Sequence, residues 1–92
     1  MEIRIKSLKF DASEKLVKFT EKKVARLEKF YAGDEAVAEV TYTLEKDAKA
    51  AKLAAAGHII ERSADTFENA ITACVDAMKE SLTRAKEKKY EA

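Results

Sequence analysis

Nine cations fall into two clusters at helical spacing, and cations so placed can meet the phosphates of a nucleic acid. The first is Lys22, Lys23, Arg26 and Lys29, the second Lys79, Arg84, Lys86, Lys88 and Lys89. Steps of three and four place Lys22, Arg26 and Lys29 on one side of a helix, and Lys79, Lys86 and Lys89 on one side of another. Two such rows on neighbouring helices would make a groove or stripe matched to an RNA backbone, with salt-sensitive binding. Glu21, Glu28, Glu80 and Glu87 offer the competing arrangement, in which neighbouring acids neutralise these cations on a solvated face.

The other candidate residues offer less. His58 is the single histidine and stands beside Gly57, with no nucleophile or carboxylate pattern to converge on it, so a surface position near a turn is expected. Tyr31 and Tyr42 could stack on bases, but they fall within apolar periodicities and read first as core. Tyr90 lies beyond those periodicities and reads as exposed. Cys74 sits in an apolar stripe, as a buried structural thiol would. There is no Gly-rich phosphate loop, no Cys/His metal spacing and no nucleophile motif. Neither catalysis, nor a cofactor or metal, nor a small-molecule substrate is expected.

A chain of 92 residues is one domain, residues 1–92. With 18 basic and 17 acidic residues the net charge of +1 says little, because only segregation of the charges would make an electrostatic footprint. One cysteine allows no disulfide framework, which suits a reducing cytoplasm. The longest uncharged runs, Leu53–Ile60 and Asn69–Val75, are far too short to cross a membrane, and Glu2, Arg4 and Lys6 do not belong in a signal peptide.

The elements that must position the cations follow from periodicity. Residues 1–8 alternate Ile3 and Ile5 with charged residues, as a half-buried strand does. From Asp11 to Tyr31 the spacing becomes helical through Leu16, Phe19, Val24, Leu27 and Tyr31. Asp11 with Glu14 is one possible start and Ser13 a competing cap, while Gly33 suits the exit. Ala38, Val40, Tyr42 and Leu44 alternate with polar residues in a second strand over 36–45. Residues 46–56 are ambiguous, since alanine and lysine favour helix, but a strand over 59–64 would make Gly57 a hairpin turn. The last helix spans Asp65 to Lys89, with Asp65 and Glu68 as a capping box and Phe67, Ala70, Ile71, Cys74, Met78, Leu82 and Ala85 as its buried stripe.

The order is β-α-β-β-β-α, an α+β two-layer sandwich. A four-stranded mixed sheet has a parallel first pair joined by a right-handed crossover, then an antiparallel meander, with both helices on one face. Proline, linkers and repeats are lacking. The arrangement resembles a double-stranded-RNA-binding domain with an additional leading strand.

Several stretches, in order, resemble the ribosome hibernation promoting factors, also called ribosome-associated translation inhibitors or sigma-54 modulation proteins. They are MEIRIKSLKF at 1–10, SEKL at 13–16, KKVARLEKFY at 22–31, LEK at 44–46, ADTFENAI at 64–71 and VDAMKESLTRAKEK at 75–88. The resemblance implies the same β-α-β-β-β-α fold and a cytoplasmic, non-enzymatic protein of the short form, without the C-terminal dimerisation domain of long forms. It also implies binding to the small ribosomal subunit and its rRNA, through basic residues on the helices, in the channel used by mRNA and tRNA. Translation would be silenced in stationary phase or stress, and paired ribosomes are a further implied partner. Arg84, Lys86 and Lys88 match a basic stretch of the family. The chain departs in two ways. Its segment between Lys46 and Asp65 is short and alanine-rich, so the third strand is expected to be short or irregular. Its +1 charge is low for the family, so weaker RNA affinity or a partner factor would follow. Two alternatives stay open: a protein-interaction or transcription-modulating domain using the open sheet face or an edge strand, and a free-standing double-stranded-RNA module.

Overall fold

A computed structural model of the chain describes residues 2–30, 37–55 and 57–91, with side chains through Arg84. The elements run β1 (Glu2–Leu8), α1 (Glu14–Ala25), a 3₁₀ turn (Glu28–Phe30), β2 (Val37–Leu44), β3 (Lys49–Ala55), β4 (His58–Ala64) and α2 (Phe67–Glu91). The sheet order is β1-β2-β3-β4, with β1 parallel to β2 and the remaining pairs antiparallel. This is the expected mixed sheet. The positions read at Tyr31 and Gly33, and the side chains of Ala85, Lys86, Lys88, Lys89 and Tyr90, lie outside the described residues. Among the described residues no helix is long and apolar enough to cross a membrane.

Register sorts the strand residues onto two faces. Ile5, Val40, Leu53 and Ile60 form one row across all the strands, facing the helices. The opposite face carries Glu2, Arg4, Lys6, Glu39, Lys52 and Glu61, cations and acids in equal number. There Arg4 meets Glu2 at 3.2 Å and Glu39 at 3.8 Å. The helix-facing side supplies the core, closed from above by Leu16, Val24, Leu27, Phe67, Ala70, Ile71, Cys74, Val75 and Met78. Each large aliphatic or aromatic side chain buried there contributes about 1.5–3 kcal/mol.

The first helix ends earlier than its periodicity suggests. After Ala25 the chain tightens, with Arg26 N–H donating to the Lys23 carbonyl at 3.3 Å and Leu27 N–H to that of Val24 at 2.9 Å. Val24, Leu27 and Phe30 are spaced by threes, so a backbone with three residues per turn keeps all of them facing the core. Ser13, not Asp11, caps α1: its Oγ accepts from Leu16 N–H at 3.1 Å. The capping box read at Asp65 and Glu68 is also corrected. Thr66 Oγ1 accepts from Asn69 N–H at 3.1 Å, while the Asn69 side chain donates to Asp65 at 3.0 Å and holds that carboxyl below its ordinary pKa. In both cases a hydroxyl one or two residues nearer the helix outcompetes the carboxylate.

β3 is neither short nor irregular. It pairs along its length with both neighbours, from Lys49 to Ala55. Alanine is a poor strand former when it has nothing to pack against. Here Ala51 and Ala55 lie buried beneath the helices, and their small size brings α2 close enough for the Cys74 thiol to donate to the Ala51 carbonyl at 3.3 Å. Burial raises that thiol from 9.0 to about 11.

Tyr42, on the central strand β2, joins the two layers. It is fully buried, and its hydroxyl lies 2.5 Å from Thr20 Oγ1, the buried polar side chain of the core. Thr20 donates its own proton to the Leu16 carbonyl at 2.7 Å, so Tyr42 must be the donor between them. Its ring meets Phe67 edge-on at 5.2 Å, and Phe67 stacks on Phe10 at 4.4 Å. Burial pushes the Tyr42 phenol from 10.0 up to about 12.

Folding therefore favours the protonated phenol, and the stability present below pH 10.0 is lost as pH rises toward about 12. Cys74 adds a similar loss between 9.0 and about 11. Urea melts of Tyr42→Phe should show a shallower alkaline decline than wild type above pH 10, and a cost of about 1 kcal/mol at neutral pH for the unpaired Thr20 oxygen. Parallel alkaline slopes would mean that Tyr42 does not titrate late. Ala51→Leu should lower stability by about 1–3 kcal/mol, because the added atoms must push α2 from the sheet; a gain would show a void beneath the helix.

Candidate nucleic-acid interface

The turn that ends α1 brings its cations against the middle of α2. A groove of about 770 Å³ runs between them. One wall is Lys23, Arg26, Leu27 and Phe30, with Glu28 and Lys29 beside them; the other is Thr72, Val75, Asp76 and Lys79. Both walls repeat the steps three, one, three, which on α2 is a single helical stripe. Leu27 and Val75 are buried and form the floor, while Phe30 is half-buried. A smaller depression, lined by Asp76, Lys79, Glu80, Thr83 and Arg84, continues along α2.

The groove cations have little internal use. The side-chain ion pairs among the described residues are Arg4 with Glu2 and Glu39, Lys18 with Glu14 and Arg84 with Glu80. None involves Lys22, Lys23, Arg26, Lys29 or Lys79. Lys23 and Lys29 instead extend over the rings of Phe19 and Phe30, with Nζ at 5.6 and 5.4 Å from the centroids. Such contacts fix a lysine without cancelling its charge.

The structure thus brings Lys23, Arg26, Lys29 and Lys79 to one groove. Lys22 is exposed on α1 but does not line it. Arg84 is also exposed, and its guanidinium donates to Glu80 at 2.6 Å, the intrahelical pairing that the acids offered. Lys86, Lys88 and Lys89 lie on the helical backbone beyond it. The row read along Lys79, Lys86 and Lys89 starts where the groove stops. The α2 wall is instead the stripe 72, 75, 76, 79, a pattern visible in the sequence but mixing one cation with one acid. Leu27, Phe30, Thr72, Val75 and Asp76 are the groove residues that a search for cations passes over.

His58 is half-buried beside Gly57, whose φ of +79° makes the turn between β3 and β4. It lies in a shallow depression with Val37, Glu39 and Ile59, and its imidazole has no hydrogen-bond partner among the described residues. Among those residues no group of three or more His, Cys, Asp or Glu side chains could hold a metal ion.

The fold has solved counterparts. The N-terminal domain of Protein Y from Thermus thermophilus superimposes with a TM-score of 0.78 at 24% identity, over 91% of this chain and 98% of that one. A ribosomal subunit interface protein from Coxiella burnetii superimposes with a TM-score of 0.74 at 21% identity, over 95% and 99%. No curated protein matches the sequence. The family model described as Sigma 54 modulation protein / S30EA ribosomal protein matches residues 3–90. The chain, by that near-complete match and by the sheet and helices that accompany it, belongs to the Sigma 54 modulation protein / S30EA ribosomal protein family.

Proposed function

We propose that the protein is a cytoplasmic, ribosome-associated translation inhibitor of the hibernation-factor kind. In this reading it binds the small ribosomal subunit through rRNA and excludes mRNA and tRNA from the decoding channel during stress or stationary phase. It acts by occupancy and catalyses nothing. The observation that carries the reading is the groove, where Lys23, Arg26 and Lys29 face Lys79 and none of the four is in an ion pair among the described residues. Family membership and the likeness in fold to a ribosomal subunit interface protein support a ribosomal partner.

Charge distribution supports it as well. The outer face of the sheet balances its charges, whereas residues 14–30 hold six cations against three acids. The low net charge of +1 is therefore compatible with a basic helical side. Lys22 and Arg84, with Lys86, Lys88 and Lys89 further along α2, would extend the contact on either side of the groove. A single domain over 1–92 is enough for such an interface.

Co-sedimentation with purified small subunits, at several salt concentrations and with duplex RNA as competitor, is the test. Saturable binding that weakens with salt and resists the duplex is expected. The Arg26→Ala, Lys79→Ala double variant should keep its fold and reduce the slope of log affinity against log salt by about 1.5, since each lost phosphate contact removes about 0.7–0.9. An unchanged slope would take the groove out of the interface. Equal binding to subunits and duplex would favour a general double-stranded-RNA module, and no binding at any salt would sink the ribosomal reading.

A further inference from the structure

A surface that only had to meet phosphates would need cations on a polar ground. The groove between the α1 turn and α2 is built otherwise. Leu27 and Val75 close it from below but are buried, and the apolar surface it presents is the half-buried ring of Phe30 along one side. Its volume of about 770 Å³ falls within the roughly 300–1,000 Å³ of sites that enclose a small molecule. An RNA duplex keeps its bases stacked inside and would bridge such a groove without filling it. An unpaired nucleotide can enter it, base against the Phe30 ring and phosphates on the flanking cations.

Asp76 narrows the choice of base. Its exposed carboxylate sits on the α2 wall one turn before the Lys79 ammonium, and it has no ion pair or hydrogen bond among the described residues. A carboxylate in a phosphate-binding groove opposes binding unless it receives protons from the ligand. Ionised, it is an acceptor with two oxygens. Guanine presents two adjacent N–H donors, N1 and N2, on its Watson–Crick edge. Adenine, cytosine and uracil each present a single donor position there.

We propose that the groove receives one unpaired nucleotide of an RNA strand and prefers guanine, with Asp76 accepting from N1–H and N2–H, Phe30 against the base, and Arg26 and Lys79 at its phosphates. This rests on the RNA-binding reading above and names what that surface takes in.

The test uses the full chain and labelled heptauridylate, alone or with a central guanosine, inosine or adenosine, in fluorescence anisotropy at fixed salt. Small-subunit co-sedimentation is run in parallel. The guanosine strand should bind about tenfold tighter than heptauridylate, as a two-point base contact allows, with inosine intermediate because it lacks the N2 amino group. Ring-proton resonances of Phe30 should shift with guanosine monophosphate and less with uridine monophosphate. In Asp76→Asn the guanosine preference should fall to within about twofold, while heptauridylate binds more tightly because an acid has left a cationic groove. Asp76 acting only through its charge would instead shift every strand by the same factor, which would overturn the guanine contact. Saturable subunit binding with no preference among the strands would overturn the nucleotide site and leave the ribosomal reading standing. Loss of both subunit and RNA binding in the wild type would overturn the two together.

Discussion

The Tyr42 side chain fixes how the helical layer sits on the sheet, and the groove depends on that. A phenol on the central strand donates to Thr20 of α1, which in turn donates to the Leu16 carbonyl. The same ring meets Phe67 at the start of α2, and Phe67 stacks on Phe10 in the connection from β1 to α1. One residue thus sets the height and rotation of both helices. A buried phenol without a partner would cost its full desolvation, so the pairing is directional where aliphatic packing is not. With α1 held at its middle and α2 at its start, the C-terminal end of α1 can tighten into its 3₁₀ turn and still present Arg26 and Lys29 across from Lys79.

The alanines of β3 impose the complementary constraint. Larger side chains at Ala51 and Ala55 would lift α2 away from the strand, and the Cys74 contact with the Ala51 carbonyl would be lost. Low strand propensity is offset by the close approach it permits. The same approach buries Val75 and Met78, and so places Thr72, Val75, Asp76 and Lys79 as the groove wall rather than as a free surface.

Periodicity made the elements legible, because alternation in β1 and β2 and the stripe from Phe67 to Met78 are properties of consecutive residues. Three details were not legible. The first cap stayed open between Asp11 and Ser13, and the second was placed at Asp65 instead of Thr66, because the carboxylates fit the capping pattern as well as the hydroxyls and only geometry separates them. β3 resisted reading because the value of alanine there depends on what lies above it. The end of α1 was missed because Val24, Leu27 and Phe30 suit three residues per turn, while Leu16, Val24 and Leu27 also suit 3.6. For the site, sequence found the cations but grouped them within each helix. The groove groups them across helices, and its apolar and acidic members carry no signal as cation patterns.

That regrouping bears on why the chain can hold so many acids. If binding needed only attraction, each acid near the groove would be a loss, and replacing Asp76 would be a simple gain. In the proposed site, its position beside Lys79, on a stripe with buried Val75, would separate two tasks that net charge confounds. Cations draw in any polyanion and make its binding depend on salt, whereas an acid set among them rejects whatever cannot return a hydrogen bond. Discrimination then comes from a cost imposed on the wrong ligand as much as from attraction to the right one. If the groove takes a nucleotide as proposed, its mixed charge would trade general affinity for selection.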